Sequence, residues 1–304
     1  MESNASIIKP QRLGQGDRIG VIAPAGPVNE SDLQPGLSML ESSGFAVYVA
    51  PHVYYRHGYL AGDDEMRLAD LHAIFEDKEI KAVLCARGGY GSLRILDRIN
   101  YGLIKKNPKI IVGYSDITAL LIGIQRKTGL VTFHGPMVQE FASGDKNNWN
   151  SLCSLISSNK PLKMDLREGT VLIQGSAVGP LIGGNLSMII HLLGTPFLPF
   201  LDGCILFIEE KGESLYRLDR MLTHFALSGQ LQGISGLIAG EFVGCGDRFA
   251  VNRLLMDKLS DMGVPLITGL SVGHGAKNLA LPIGVMADLN TDLMTLTIME
   301  ECVR

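Results

Sequence analysis

The chain has 304 residues, 46% apolar and 19% charged, with 27 Lys and Arg against 31 Asp and Glu for a net charge of −4. This apolar share excludes intrinsic disorder, and the length allows one large domain or two modest ones whose core needs no disulfide staple. The acidic balance argues against a nucleic-acid partner, which needs a basic surface, and against an anionic membrane surface.

Met1 to Asp17 shows neither a basic n-region nor an apolar h-region, so no secretory leader is read there. Arg18–Ala23 reads as a buried strand. Glu30–Ser43 reads as a helix, with Pro35 either in its first turn or interrupting it. Ala46–Ala50 is a strand, and Asp63–Phe75 a helix with Asp63 as N-cap and Met66, Leu68, Leu71 and Phe75 on one stripe. Ile80–Ala86 is a strand, Gly91–Ile99 a short helix, Lys109–Gly113 a strand and Asp116–Gln125 a helix. This β-α alternation predicts an α/β fold with a parallel sheet covered on both faces.

From Ala142 to Arg167 the composition turns polar, through Ser143-Gly144-Asp145-Lys146 and Ser157-Ser158-Asn159-Lys160-Pro161. This stretch is read as the boundary between two domains, 1–145 and 170–304, with 146–169 as linker. The second half is expected to be β-rich, with strands at Val171–Ile173, Cys204–Ile208, Gly236–Phe242, Val285–Leu289 and Leu293–Ile298. Helices are expected at Ser214–Ser228 and Asn252–Met262. The apolar region Val178–Leu201 is broken by Gly183, Gly184, Asn185, Gly194 and Pro196, and falls short of a transmembrane span. Cys85, Cys153, Cys204, Cys245 and Cys302 are odd in number and scattered, which reads as free thiols in a reducing, cytoplasmic compartment.

In an open parallel sheet, ligands bind beyond the carboxyl ends of the strands. Three such ends carry unusual loops: Ala23-Pro24-Ala25-Gly26-Pro27, Ala86-Arg87-Gly88-Gly89-Tyr90-Gly91 and Gly113-Tyr114-Ser115-Asp116. Ser115, at a strand-to-helix junction, either caps its helix or is presented as a nucleophile beside outward-facing amides. Gly88-Gly89 makes a tight turn, or brings an amide close to a ligand. One such amide with that of Asp116 would form an oxyanion hole worth about 3 kcal/mol per donor. Arg87 is either structural or a partner for a substrate carboxylate. A serine needs a base and the base an orienting acid. His274, between Gly273 and Gly275, is favoured as the base over His134. Glu209 or Glu210, ending an apolar strand, would be the acid, or both are solvated loop carboxylates. No His-Glu-x-x-His, Cys-x-x-Cys or Gly-x-Gly-x-x-Gly is present, so neither a metal nor a dinucleotide cofactor is expected.

The motifs Gly16–Pro27, Ala86–Gly91, Gly113–Asp116, Gly183–Leu186, Phe207–Glu210, Tyr216–Leu222 and Gly273–Gly275 occur in an order that resembles the LD-carboxypeptidase family across nearly the whole chain. These are serine peptidases that include murein tetrapeptide carboxypeptidases and microcin-C-immunity-type hydrolases. The resemblance implies a flavodoxin-like N-terminal domain and a smaller β-rich C-terminal domain. It implies a Ser115–Glu209–His274 triad and a backbone oxyanion hole, placed at Gly89 and Asp116; beside these, Arg87 and Gly88 are read as substrate-binding. The family's acidic pair is usually Glu-Asp; here it is Glu209-Glu210. The implied activity is removal of the terminal D-Ala from a murein tetrapeptide in cell-wall recycling, by a homodimer without cofactor. Two alternatives stand beside it. One is hydrolysis of aminoacyl-nucleotide conjugates, which needs an aromatic platform for the base where the chain has only one tryptophan, Trp149; the other is non-catalytic muropeptide binding.

Overall fold

A computed structural model describes residues 6–143, 146–158 and 160–304. Met1–Ala5 at the start of the region read as leaderless, and Gly144, Asp145 and Asn159 in the expected interdomain stretch, lie outside the described residues. The elements run β1 (Arg18–Ile22), α1 (Glu30–Ser42), β2 (Ala46–Val49), α2 (Asp64–Glu76), β3 (Ile80–Cys85), α3 (Tyr101–Lys106), β4 (Ile110–Gly113), α4 (Ile117–Thr128), β5 (Thr132–His134) and α5 (Lys146–Ser157). There follow β6 (Lys163–Asp165), β7 (Thr170–Ile173), β8 (Ser176–Asn185), α6 (Leu186–Leu192), β9 (Ile205–Lys211), α7 (Leu215–Leu227), β10 (Gly236–Val243) and α8 (Arg248–Leu259). The last strands are β11 (Leu266–Thr268), β12 (Leu281–Ile283), β13 (Val285–Asn290) and β14 (Thr295–Ile298). The chain clusters into two compact units, Met1–Asn159 with Leu279–Pro282 and Cys302–Arg304, and Lys160–Asn278 with Ile283–Glu301.

The first unit is built on a sheet of order β12-β5-β4-β3-β1-β2. Strands β1 to β5 pair in parallel, as the β-α alternation requires. Their interior is a near-continuous apolar run: Ile19, Val21, Val83, Leu84, Ile111, Val112 and Phe133 have no exposed surface. Right-handed crossovers put α1 on one face, since β1 to β2 runs one way along the sheet, and α2, α3 and α4 on the other. Accordingly α3 packs against both α2 and α4, while α1 packs against the 3₁₀ turn Val138–Ser143. Order β2-β1-β3-β4-β5 reverses direction at β1/β3. The carboxyl ends of the neighbours β1, β3 and β4 therefore share one edge, where a doubly wound sheet binds ligands.

The second unit is built on a mixed sheet of order β6-β14-β13-β8-β9-β10-β11-β7. Strands β8, β9, β10 and β11 are parallel, and the outer pairings are antiparallel. On β13 burial alternates, with Val285, Ala287 and Leu289 inward, as in a sheet with one solvated face. The apolar stretch from Val178 resolves into β8 and α6, joined at Asn185, whose side chain accepts the Met188 amide at 3.2 Å. The stretch read as linker carries α5 and the edge strand β6. The helix expected from Asn252 starts earlier, at Arg248, because Asp247 caps it by accepting the Phe249 amide at 2.8 Å. Among the described residues no helix is long and apolar enough to cross a membrane.

Helix α1 continues through Pro35, which lies beyond its first turn. The carbonyl deprived of a donor belongs to exposed Ser31, where water can reach it. Because Pro35 is itself exposed, Pro35→Ala removes little packing and restores a helical hydrogen bond. Urea denaturation should show a gain of about 1–3 kcal/mol.

Candidate active site

In the first unit the three expected loops meet. The Gly26 amide donates to the Gly88 carbonyl at 3.0 Å, tying the loop after β1 to the loop after β3. Gly88 in turn lies against Ser115: a methyl group there would sit 3.0 Å from the serine Cβ and 3.1 Å from its Oγ. A side chain there would press on the hydroxyl, and Ser115 would have to give by a few tenths of an ångström. Ser115 has φ +61°, in the left-handed region that a non-glycine residue occupies at a cost of about 1–3 kcal/mol. This bend separates β4 from α4 and lifts the side chain out of the sheet, at the start of a helix whose first amides, those of Ile117, Thr118 and Ala119, donate back to the carbonyls of Tyr114, Ser115 and Asp116.

Two arginines hold these loops. Arg67, 2% exposed on α2, donates through Nη1 to the Pro24 carbonyl at 2.6 Å and the Gly91 carbonyl at 2.9 Å, and pairs with Asp64. It clamps the loops after β1 and β3 from beneath. The sequence offered no sign of this beyond a charged residue at a position on α2 flanked by the apolar stripe. Arg87 donates to the Pro27 carbonyl at 3.1 Å and braces the same pair of loops. Asp116 is buried, and its carboxylate accepts the Ser92 amide at 2.8 Å. Burial pushes this carboxyl above its ordinary range, an effect the Ser92 amide opposes.

In the second unit Glu209 and His274 meet. Glu209 is fully buried at the carboxyl end of β9, and its Oε2 lies 2.6 Å from His274 Nδ1. A carboxylate only accepts, so Nδ1 carries the proton and Nε2 is left as the basic nitrogen. Burial raises the Glu209 carboxyl above its usual range, and His274 pulls it back. Gly273, at φ +106°, makes the contact possible, since a methyl there would lie 2.4 Å from Glu209 Oε2. The loop is fixed further by the Gly273 amide, which donates to Asn278 Oδ1 at 2.9 Å. Glu210 is buried too but engaged elsewhere. It accepts from Asn185 Nδ2 at 3.0 Å, from the Ser187 amide at 2.8 Å and hydroxyl at 2.7 Å, and from its neighbour Lys211's amide at 2.9 Å. It secures the start of α6, and Glu209 is the acid that faces the histidine.

His134, considered for the crevice, has no exposed surface and stacks edge-on with Tyr114 at 5.7 Å. Trp149 is buried, its ring edge-on to Phe45 at 5.6 Å and to Phe141 at 5.5 Å. Among the described residues no group of three or more His, Cys, Asp or Glu is placed to hold a metal ion.

The chain is similar to known proteins over nearly its whole length. The family profile described as the LD-carboxypeptidase N-terminal domain matches residues 19–135, and that of the C-terminal domain matches residues 178–289. A Bacillus subtilis protein named probable murein peptide carboxypeptidase is 41% identical over 294 residues, covering 93% of this chain and 92% of its own. The murein tetrapeptide carboxypeptidase of Pseudomonas aeruginosa is 34% identical over 285 residues, covering 90% of this chain and 92% of its own. Among solved structures, an MccF-like protein from Bacillus anthracis superposes with a TM-score of 0.91 at 28% identity, over 96% of this chain and 99% of that one.

The raised Asp116 carboxyl gives a signed prediction. Its contribution to stability is present below the ordinary carboxylate range and is lost as pH rises through the folded-state value. Asp116→Asn keeps an acceptor for the Ser92 amide without the charge. Urea denaturation from about pH 4 to about pH 8 should therefore show the variant gaining on the wild type as pH rises.

Proposed function

The chain belongs to the LD-carboxypeptidase family, and on that premise we propose that it is a serine carboxypeptidase acting on murein tetrapeptide, cleaving the L,D bond to the terminal D-Ala. The observation that carries this reading is the buried Glu209–His274 pair at 2.6 Å, which sets the imidazole in the tautomer a general base needs. Ser115, raised on its left-handed bend, supplies the nucleophile. In this reading Ser115 Oγ attacks the scissile carbonyl carbon as its proton passes to His274 Nε2. Glu209 stabilises the imidazolium that results. The amides of Gly89 and Asp116 take the oxyanion, and the proton then goes to the departing D-Ala nitrogen. Water attacks the Ser115 ester by the same relay and frees the tripeptide. Arg87, beside Gly88, meets the terminal carboxylate that distinguishes a carboxypeptidase substrate. A homodimer working in the cytoplasm during cell-wall recycling belongs to the same proposal.

The likeness to an MccF-like protein favours a second reading, in which the same relay hydrolyses an aminoacyl-nucleotide conjugate. Stacking the base would need an exposed aromatic; Trp149 is buried between two phenylalanines, and exposed Tyr90, beside Gly89 and edge-on to Tyr59 at 5.5 Å, is the ring this second reading would use. Purified protein assayed on both substrate types separates the two, and the first reading expects turnover of the tetrapeptide.

Ser115→Ala should lower kcat on murein tetrapeptide by about 10⁴-fold or more, with unfolding unchanged. His274→Ala should lose a comparable factor, and the double variant little beyond either single one, since the groups act as a unit. Retained turnover in Ser115→Ala, or multiplicative losses in the double variant, would overturn the assignment.

A further inference from the structure

The second unit contains a cavity of about 230 Å³ over the carboxyl ends of β10 and β11, beneath the start of α8. Phe242, Val251 and Leu255 give it apolar walls, and Glu241, Arg248 and Thr268 bring two charges and a hydroxyl. Thr268 is 3% exposed, and its Oγ1 has no hydrogen-bond partner among the described residues. Buried polar groups in native proteins are satisfied almost without exception, so a hydroxyl lining a cavity points to an occupant with a polar end.

Glu241 is half-buried, and no hydrogen bond or ion pair engages its carboxylate among the described residues. That carboxylate lies against the loop of the proposed base: a methyl on Gly275 would be 2.1 Å from Glu241 Oε2. Arg248 folds over Gly269 and gives one N–H from Nη2 to Thr170 Oγ1 at 3.0 Å. A guanidinium has five such donors, so others remain for a ligand. An acid and a base lining one apolar-walled cavity offer partners of opposite charge to a zwitterion. The volume, below the roughly 300–1,000 Å³ of pockets for drug-sized ligands, is in keeping with a ligand end as small as an amino acid.

We propose that this cavity binds the amino-acid end of a ligand, with the ammonium on Glu241, the carboxylate on Arg248, the Thr268 hydroxyl bonded to either and the aliphatic stem on the apolar walls. The zwitterion comes from a free amino acid or from the side chain of a diamino acid within a peptide; the second source rests on the carboxypeptidase reading.

The test uses the full-length Ser115→Ala protein and calorimetric titration with 2,6-diaminopimelate, which carries the zwitterionic end. Pimelate, lacking ammonium groups, and 1,5-diaminopentane, lacking carboxylates, should bind at least about tenfold more weakly. Glu241→Gln and Arg248→Met should each weaken diaminopimelate by about ten- to hundredfold, and the near-isosteric Thr268→Val by a smaller factor, with thermal unfolding confirming that each variant is folded. No binding of diaminopimelate, or equal binding by all the variants, overturns the proposal. In an otherwise wild-type protein, Glu241→Gln should raise KM more for a tetrapeptide with diaminopimelate at its third position than for one with alanine there, if the peptide is the source. Equal changes in KM beside lost diaminopimelate binding assign the cavity to the free amino acid. If neither peptide is cleaved, the hydrolytic reading fails while the titration still decides the cavity.

Discussion

A carboxylate without solvent exposure has to find a partner, and the candidate site is organised around that demand. Strand β9 is buried through Glu210, so two adjacent acids enter the interior together. Successive side chains of a strand point to opposite faces, which sends the two apart. Glu210 turns to the start of α6 and is satisfied by Asn185 and Ser187; Glu209 turns to the Gly273 loop, where its Oε2 meets His274. Removing a partner from such a group leaves a buried charge that costs about 3–5 kcal/mol, so the histidine is held in place by the same term that holds the fold. Orientation and tautomer of the imidazole follow from that bond.

Ser115 shows the complementary arrangement in the first unit. Its left-handed backbone is unfavourable in isolation and persists because its surroundings over-determine it. The Gly26–Gly88 hydrogen bond and the Arg67 clamp fix the loops that close against it, while β4 and α4 fix the chain on either side. Burying Arg67 is tolerable because two backbone carbonyls and Asp64 receive its charge. Strain is thus held at the residue proposed for chemistry, and rigid elements around it bear the cost.

The sequence made the first unit legible because short apolar runs alternating with helical stripes have few other solutions. The strand ends bearing Gly26, Gly88 and Ser115 could be assigned to one edge by topology alone. The second unit was harder. Strand β8 and helix α6 lie inside one apolar stretch, where neither a period of 2 nor of 3.6 stands out; Asn185 as an N-cap was the available signal. Short strands such as β6, β11 and β12 carry too few residues to register as a pattern. The choice between Glu209 and Glu210 could not be read from type, since both are glutamates, and depended on which face of β9 met the histidine loop. Arg67 was invisible because a buried arginine and a solvated one look alike in a helix. The same holds for Glu241, Arg248 and Thr268, which fall together only once β10, β11 and α8 are in register.

In the mechanism proposed above, Ser115 is activated by the Glu209–His274 pair. Labelling with a fluorophosphonate probe, followed by peptide mass mapping, tests it directly. One phosphonylated residue, Ser115, is expected in the wild type, with labelling slowed by orders of magnitude in Glu209→Gln and abolished in His274→Ala. Modification of Ser115 at the wild-type rate in those variants, or of a different serine in the wild type, would contradict it.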